Sequence, residues 1–519
     1  MDKPSNIGPH LKQLRPPIIR SAGVTDTEKY LAKLGDRTFL NLWSYPNPYR
    51  SQKTGGTGDG KEICDLLVVC DPHILIFSEK MVSWTDKPVN VAWPRWCRRA
   101  IFEAVAQLRG AERWINDFPD RIFLDKLCET PFPLALPDAK HRRVHRIVVA
   151  RGAEGAGRDY FDGGLGTFVV CPGIKADDHC NPSAPNYMPF AIGDIDPQGD
   201  YVHVFDDVAL TIVMRELDTI SDFTAYLDKR ADFIRSGMLG LAHGEEDLLA
   251  YYAIRTNEFG EHDFTPPRGR TWDESSAVAI GSGHWTSYSS DPQYLGKKEA
   301  DKVSYAWDAL IETFTNHMLG GTSIVLPGYS YSLSNSEIAV RHMALQPRFL
   351  RRAHSEAILG ALEIGCKKDM FFRAMLVPEG SDRSETGFFI LTLKYLKWMD
   401  DRGGYEKYRE RRSFYLQTYA QALLMKHGYL QQVVGISMEP PNQGRGGSED
   451  LIFAAQTEWT DADRNQNRSD CAALGIMGEL KPTYYQGHEF PDAKVRTKNR
   501  STGNRQQRRA QVARERRRD

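Results

Sequence analysis

The sequence predicts an α/β protein of several domains, and three observations lead there. Two short, β-branched apolar runs, Ile63 to Val69 and His73 to Phe77, are joined by Cys70-Asp71-Pro72. That junction is turn chemistry, so the pair reads as a buried hairpin. The stretch Trp93 to Trp114 follows, with Trp96, Ala100, Ile101, Ala104, Leu108 and Ala111 on one apolar stripe, the pattern of an amphipathic helix. The chain of 519 residues also exceeds the roughly 250 to 300 residues that one hydrophobic core can fill.

Taken in order, Thr25-Asp26-Thr27-Glu28 is a helix start with a capping residue and early acids. Residues 1 to 24 before it, with the Pro16-Pro17 pair, form a flexible N-terminus. The helix gives way at Ser44-Tyr45-Pro46-Asn47-Pro48, and a glycine-rich loop runs from Ser51 to Gly60. The hairpin and the amphipathic helix come next, then a strand over His145 to Ala150. Gly152 to Gly166, with six glycines, reads as a long loop; it lacks the Gly-Lys-Ser/Thr ending of a phosphate-binding loop. Beyond it, strand-like pieces (Thr167 to Cys171, Tyr201 to Val204, Ala209 to Val213) alternate with helical ones (Asp222 to Ile234, Glu245 to Tyr252, Ala300 to Asn316). The last third predicts a hairpin of Phe372 to Val377 with Gly387 to Leu393, a helix from Tyr405 to Lys426 and a strand over Gln432 to Met438. The expected division is a first domain over 25–150, mixed α/β over 168–330, α+β over 331–490 and a basic tail over 491–519.

Composition narrows the function classes. With 41% hydrophobic and 26% charged residues, wholesale disorder is excluded. Apolar runs such as Leu66 to Cys70 fall far short of the roughly 18 residues that cross a bilayer, so no membrane partner is expected. The first twenty residues carry no apolar centre of a secretory signal, so a cytoplasmic protein is expected. The eight cysteines are scattered without zinc spacing and read as reduced thiols. The net charge of -1 conceals eleven bases against three acids between 491 and 519. Such a tail, which includes Arg508 and Arg509, suits nucleic acid or another polyanion, and equally suits a solvated segment.

One segment carries legible chemistry. Gly60-Lys61-Glu62-Ile63-Cys64-Asp65 heads the first strand of the hairpin, and Ser78-Glu79-Lys80 ends the second. A hairpin of this length brings its outer ends together, so Glu62, Asp65, Ser78, Glu79 and Lys80 share a polar patch beside an apolar sheet. Phosphodiester hydrolysis needs that inventory: carboxylates for a hard divalent cation, Mg²⁺ or Mn²⁺, and an ammonium to orient water and offset charge. Asp65 is expected as the central ligand and Lys80 beside the attacking water, with Glu79 or Glu62 completing the shell. The bland reading is that acids and lysines end strands because strand ends meet solvent.

The order of these parts resembles the PD-(D/E)XK nuclease superfamily, the restriction-endonuclease-like fold with its NERD and Mrr-like branches, over residues 25 to 120. A helix with an acid, an acid on the strand pair, an acid-x-lysine and a following helix with a glutamine or bases fall on Glu28, Asp65, Ser78-Glu79-Lys80, and the helix bearing Arg98, Arg99 and Gln107. The resemblance implies an N-terminal mixed sheet flanked by helices, followed by one or two α+β domains. It implies a metal-dependent nuclease with Glu28, Glu62, Asp65 and Glu79 as metal ligands, acting on DNA in preference to RNA, in the manner of defence or repair factors. Arg95, Arg98, Arg99 and Gln107 would meet the phosphates. The chain departs from the pattern at one point: strand alternation puts Ser78 with Lys80 on one face and Glu79 on the other. Either a β-bulge turns Glu79 inward or Glu62 or Glu28 replaces the lost ligand. The alternatives are a non-catalytic nucleic-acid- or protein-partner-binding protein on a degenerate nuclease fold, and a hydrolase or transferase site within residues 168–460. For the latter, His243 to Asp247 with His262 and Asp263 is a weaker metal candidate.

Overall fold

A computed structural model describes residues 15–491, apart from 53–59, 268, 270, 273–276, 325–330, 382, 444–447 and 479–480. The expected basic tail, with Arg508 and Arg509, lies outside the described residues, as does most of the expected N-terminal segment. The α/β class is observed: three larger sheets, each covered by helices. No described helix is long and apolar enough to cross a membrane.

The first helix, α1, spans Asp26–Phe39. Thr25 and Glu28 close a reciprocal capping box at its start, which satisfies backbone N–H groups that the first turn leaves orphaned. The first sheet then runs in sequence order through β1 (Ser44–Pro46), β2 (Leu66–Cys70), β3 (His73–Met81), β4 (Arg143–Arg151) and β5 (Val202–Phe205). β1, β2 and β3 are antiparallel, whereas β3, β4 and β5 are parallel. The parallel step from β3 to β4 needs a crossover. α2 (Val89–Cys97), a π-helical turn (Arg98–Phe102) and α3 (Glu103–Asp117) supply it as one continuous helical run.

The two faces of this sheet are covered differently. Phe77 of β3 meets Phe39 of α1, with ring centroids 6.0 Å apart. One residue on, Ser78 faces the opposite side and hydrogen-bonds Gln107 of α3 at 3.1 Å. α1 and the crossover helices thus sandwich the hairpin, and Leu66 to Val69 and Ile74 to Phe77 are buried throughout.

Two expectations are corrected beyond the hairpin. The glycine-rich stretch after β4 holds a short helix, α4 (Glu154–Tyr160). Gly152 opens it at φ +99°, where a Cβ would fall 2.3 Å from the Val82 carbonyl oxygen, so the tight turn after β4 excludes any side chain. Ala209 to Val213, expected as a strand, lies within α5 (Asp207–Glu216). The Asp206 carboxylate accepts the Ala209 N–H at 2.8 Å, and this cap overrides the β-branched composition. β5 itself comes from beyond the expected 150–168 boundary and joins the first sheet.

The second sheet orders Val278–Ile280, Leu239–Ala242, Val169–Lys175 and Ala191–Asp194 side by side. The third pairs β6 (Met370–Met375), β7 (Thr386–Leu393), β8 (Gln432–Met438) and β9 (Glu449–Ala455). Here α6 (Arg348–Gly365) precedes an antiparallel pair, and α7 (Gly404–Lys426) crosses to the parallel strand β8. Helix, antiparallel pair, crossover helix and parallel strand therefore occur in both the first and the third sheet. An unbroken cluster of buried apolar side chains extends from Leu31 to Ile436 and joins all three.

Candidate functional site

The edge of the first sheet at the carboxyl ends of β3, β4 and β5 gathers the ionisable side chains. The backbone of Asp65 still follows the hairpin, its N–H donating to the Phe77 carbonyl at 3.1 Å. Its carboxylate turns across the strand end and accepts the Glu79 N–H at 2.6 Å. Glu62 sits on the short strand Lys61–Glu62, with its carboxyl near that of Asp65. The Glu62 charge disfavours ionisation of Asp65. Burial pushes Asp65 up to about 7, the Glu79 N–H opposing and the Glu62 charge reinforcing the shift, with Lys80 opposing it further. Glu62 is also raised, by burial first, against the Asn47 amide and Lys80.

Asn47 organises this corner. It adopts φ +48°, a left-handed conformation that asparagine tolerates better than most residues. Its fully buried side-chain amide donates to Glu28 Oε2 at 3.0 Å and to Glu62 Oε1 at 3.1 Å, while its backbone N–H donates to the Asp65 carbonyl at 3.1 Å. Glu28 Oε2 also accepts the N–H groups of Val24 at 2.9 Å and Thr25 at 3.4 Å. Burial raises the Glu28 carboxyl, but these donors outweigh it and hold the group below its ordinary value. Glu28 therefore reaches Glu62 through Asn47 while closing the cap of α1.

Glu79 points away from this pair. β3 pairs with β4 from His73 opposite Arg143 to Met81 opposite Arg151 without a register shift. The β-bulge that would turn Glu79 inward does not form. On the α1 face, Glu79 instead makes an ion pair with Arg151, the last residue of β4. Burial raises the Glu79 carboxyl, and Arg151 and Thr27 pull it down. Arg151 reaches on to Asp207 at the start of α5, with Nη1 to Oδ2 at 3.3 Å. Of the two compensations open to the sequence, the geometry contains the second: Glu62 stands beside Asp65.

The remaining expected residues separate into two groups. Gln107 lies at the site and accepts from the Ser78 hydroxyl. Arg95, Arg98 and Arg99 are exposed on the first half of the crossover run, and Arg98 donates to the Cys180 carbonyl at 3.3 Å. Trp93 and Trp96 are buried and stacked on each other with centroids 5.4 Å apart. Asn47, Arg151 and Asp207 are the residues of this edge that sequence reasoning missed. Arg151 did leave a signal, since it ends an apolar strand with a cation just as Lys80 does.

The weaker candidates resolve into structural pairs. Glu245 binds Arg230 at 2.7 and 2.8 Å and the Tyr226 hydroxyl at 2.6 Å, and Asp247 accepts the Trp285 N–H at 2.9 Å. His262 meets Glu489 at 3.1 Å. A cleft of about 430 Å³ lies at the other end of the first sheet, against Glu112, Arg142, Arg146 and Asp200. Its Arg146 is already held by Glu112 and Asp200, so it offers paired charges and no free acid or nucleophile.

Among the described residues, no group of three or more histidine, cysteine, aspartate or glutamate side chains converges closely enough to enclose a metal ion. Mg²⁺ does not require one, because it keeps several waters and ordinarily takes one or two carboxylates plus substrate phosphate. Glu62 and Asp65 supply hard oxygens, and a divalent cation would displace the proton that burial favours on Asp65. The donor set fits Mg²⁺ or Mn²⁺ on these grounds. No family model matches the chain, and no curated protein or solved structure is significantly similar to it.

Proposed function

We propose that this chain is a metal-dependent nuclease that hydrolyses phosphodiester bonds, in DNA in preference to RNA. The observation that carries the reading is the Glu62–Asp65 carboxyl pair beside Lys80, at the carboxyl ends of parallel strands where α/β sheets commonly bind ligands. Bound Mg²⁺ would polarise a phosphoryl oxygen and acidify a water. Asp65 and Glu62 would hold it in their ionised forms. Lys80, half-buried at the end of β3, would orient water and offset the charge that develops on the phosphate. Asn47 fixes Glu62, and the Glu79 N–H fixes Asp65, so neither carboxylate needs to reorganise on binding.

A binding protein on a degenerate nuclease fold is the second reading, and Ser78 favours it. The hydroxyl at this position, bonded to Gln107, stands where the nuclease pattern has a carboxylate. Cleavage of single- and double-stranded DNA and RNA with Mg²⁺, Mn²⁺ or EDTA separates the readings, with Asp65→Asn and Lys80→Met prepared alongside the parent. Metal-dependent cutting lost in both variants supports the nuclease. Salt-sensitive binding with no cutting in either metal sinks it and leaves the binding protein.

A further inference from the structure

The Glu79–Arg151 pair is unusually incomplete for a buried ion pair. Glu79 is 7% exposed and Arg151 is 5% exposed. Yet Arg151 Nη2, beside Glu79 and Asp207, has no hydrogen-bond partner among the described residues. Buried polar atoms are nearly always satisfied. An unused guanidinium edge at the carboxyl ends of parallel strands marks a place for a ligand.

The chemistry of that ligand follows from the groups present. Arg151 is a planar fork suited to bidentate contact with phosphate, and it presents one unused N–H edge. The Tyr30 ring lies 5.8 Å from the guanidinium carbon. Asp207 stays within 3.3 Å of Nη1, so the cation would keep a carboxylate partner if Glu79 left it. Backbone movement is not available here: β3 and β4 are paired to their last residues, and the turn at Gly152 is closed against Val82. Exchange must therefore occur by side-chain rotation. Glu79 is already tied to the metal-holding corner, because its own N–H is the donor to Asp65.

We propose that Arg151 binds a phosphate of the substrate, and that this phosphate exchanges with Glu79 for the guanidinium, freeing the Glu79 carboxylate to turn toward the divalent cation. This rests on the nuclease reading for the cation but assigns two residues that the nuclease pattern leaves without a role. Phosphate and cation then bind cooperatively, each removing an obstacle to the other, and linkage makes the effect reciprocal.

The test measures Mn²⁺ binding by electron paramagnetic resonance, with and without an oligodeoxynucleotide carrying uncleavable phosphorothioate linkages. The parent protein is expected to bind Mn²⁺ at least tenfold more tightly with the oligonucleotide present. In Arg151→Met the enhancement falls below twofold, and Mn²⁺ alone binds more tightly than to the parent because Glu79 is already free. Glu79→Gln, which keeps its shape and its bond to Arg151 and so protects the fold, also loses the enhancement while retaining oligonucleotide affinity without metal. No enhancement in the parent, or enhancement that persists in both variants, overturns the exchange. Cleavage of an unmodified oligonucleotide is scored separately. Coupling without cleavage would sink the nuclease and leave the exchange standing, and cleavage with unaltered coupling in both variants would do the reverse.

Discussion

The Asp65 carboxylate accepts the backbone N–H of Glu79 at 2.6 Å, so the hairpin's polar end is locked by a side chain of one strand and the main chain of the other. Asp65 is thereby held close to Glu62, and burial with that neighbour pushes it up to about 7. A divalent cation must expel the proton to bind. Mn²⁺ affinity is expected to rise about tenfold per pH unit below 7 and to level off above it, as one proton is displaced per ion. Calorimetric titrations across pH 5.5 to 8.5 check this. Asp65→Asn should remove the slope along with most of the affinity, and a slope that survives would place the proton elsewhere.

Asn47 is expected to matter more than its small size suggests. Asn47→Ala leaves Glu28 and Glu62 without their shared donor and puts an ordinary residue at φ +48°. The lost hydrogen bonds and the strained backbone together predict a loss of about 2–3 kcal/mol in urea unfolding. Asn47→Gly relieves the strain but not the missing amide, so it should recover only part of that stability. It should recover none of the metal affinity.

Elsewhere, Asp308 bridges two buried arginines, Arg348 at 2.7 Å and Arg351 at 2.6 Å. Removing it leaves the buried Arg351 without a carboxylate partner, while Arg348 keeps Asp218 at 2.9 Å, and Asp308→Ala is expected to cost about 3 kcal/mol. Asp308→Asn keeps an acceptor for one arginine and should cost less. Equal losses in thermal melts of the two variants would show that packing, not charge, sets the cost.

The hairpin was legible because its two apolar runs are short, adjacent and joined by a proline turn, and Glu62, Asp65 and Lys80 stood out as charges ending buried strands. Alternation set Ser78 and Glu79 on opposite faces but left a bulge at the strand end open, and the unbroken register of β3 with β4 decides against it. Asn47 was hidden between two prolines, since its role depends on a left-handed backbone that no periodicity reports. Arg151 and Asp207 come from strands and helices distant in sequence, and only the parallel pairing of β3, β4 and β5 brings them to one edge. Ala209 to Val213 misled because its composition favours a strand, whereas the cap at Asp206 decides the matter.

A buried histidine pair at the opposite end of the same strands should make the fold acid-sensitive. His73 Nδ1 and His145 Nε2 lie 3.1 Å apart. Burial first, then the Arg143 charge, pushes His73 down to about 4; burial, then His73 and nearby arginines, pushes His145 down to about 3. The folded state thus refuses protons that the unfolded chain accepts below about 6.5, so stability falls as pH drops from there toward 4. The loss is on the order of 2 kcal/mol per ring by pH 4.5. Asp65 and Asp206, both raised to about 7 by burial, act with the opposite sign: they hold protons more tightly when folded and add stability as pH falls from 7 toward 4. The two effects oppose each other between pH 6.5 and 4, which makes the variants more informative than the parent. Replacing both histidines by Gln should make the acid-side fall shallower without abolishing it, because His203, His342 and His354 are also lowered by burial. Asp65→Asn in the otherwise unchanged chain should steepen the acid-side fall. Midpoints that fall in parallel for all three proteins would mean that neither group governs the pH response.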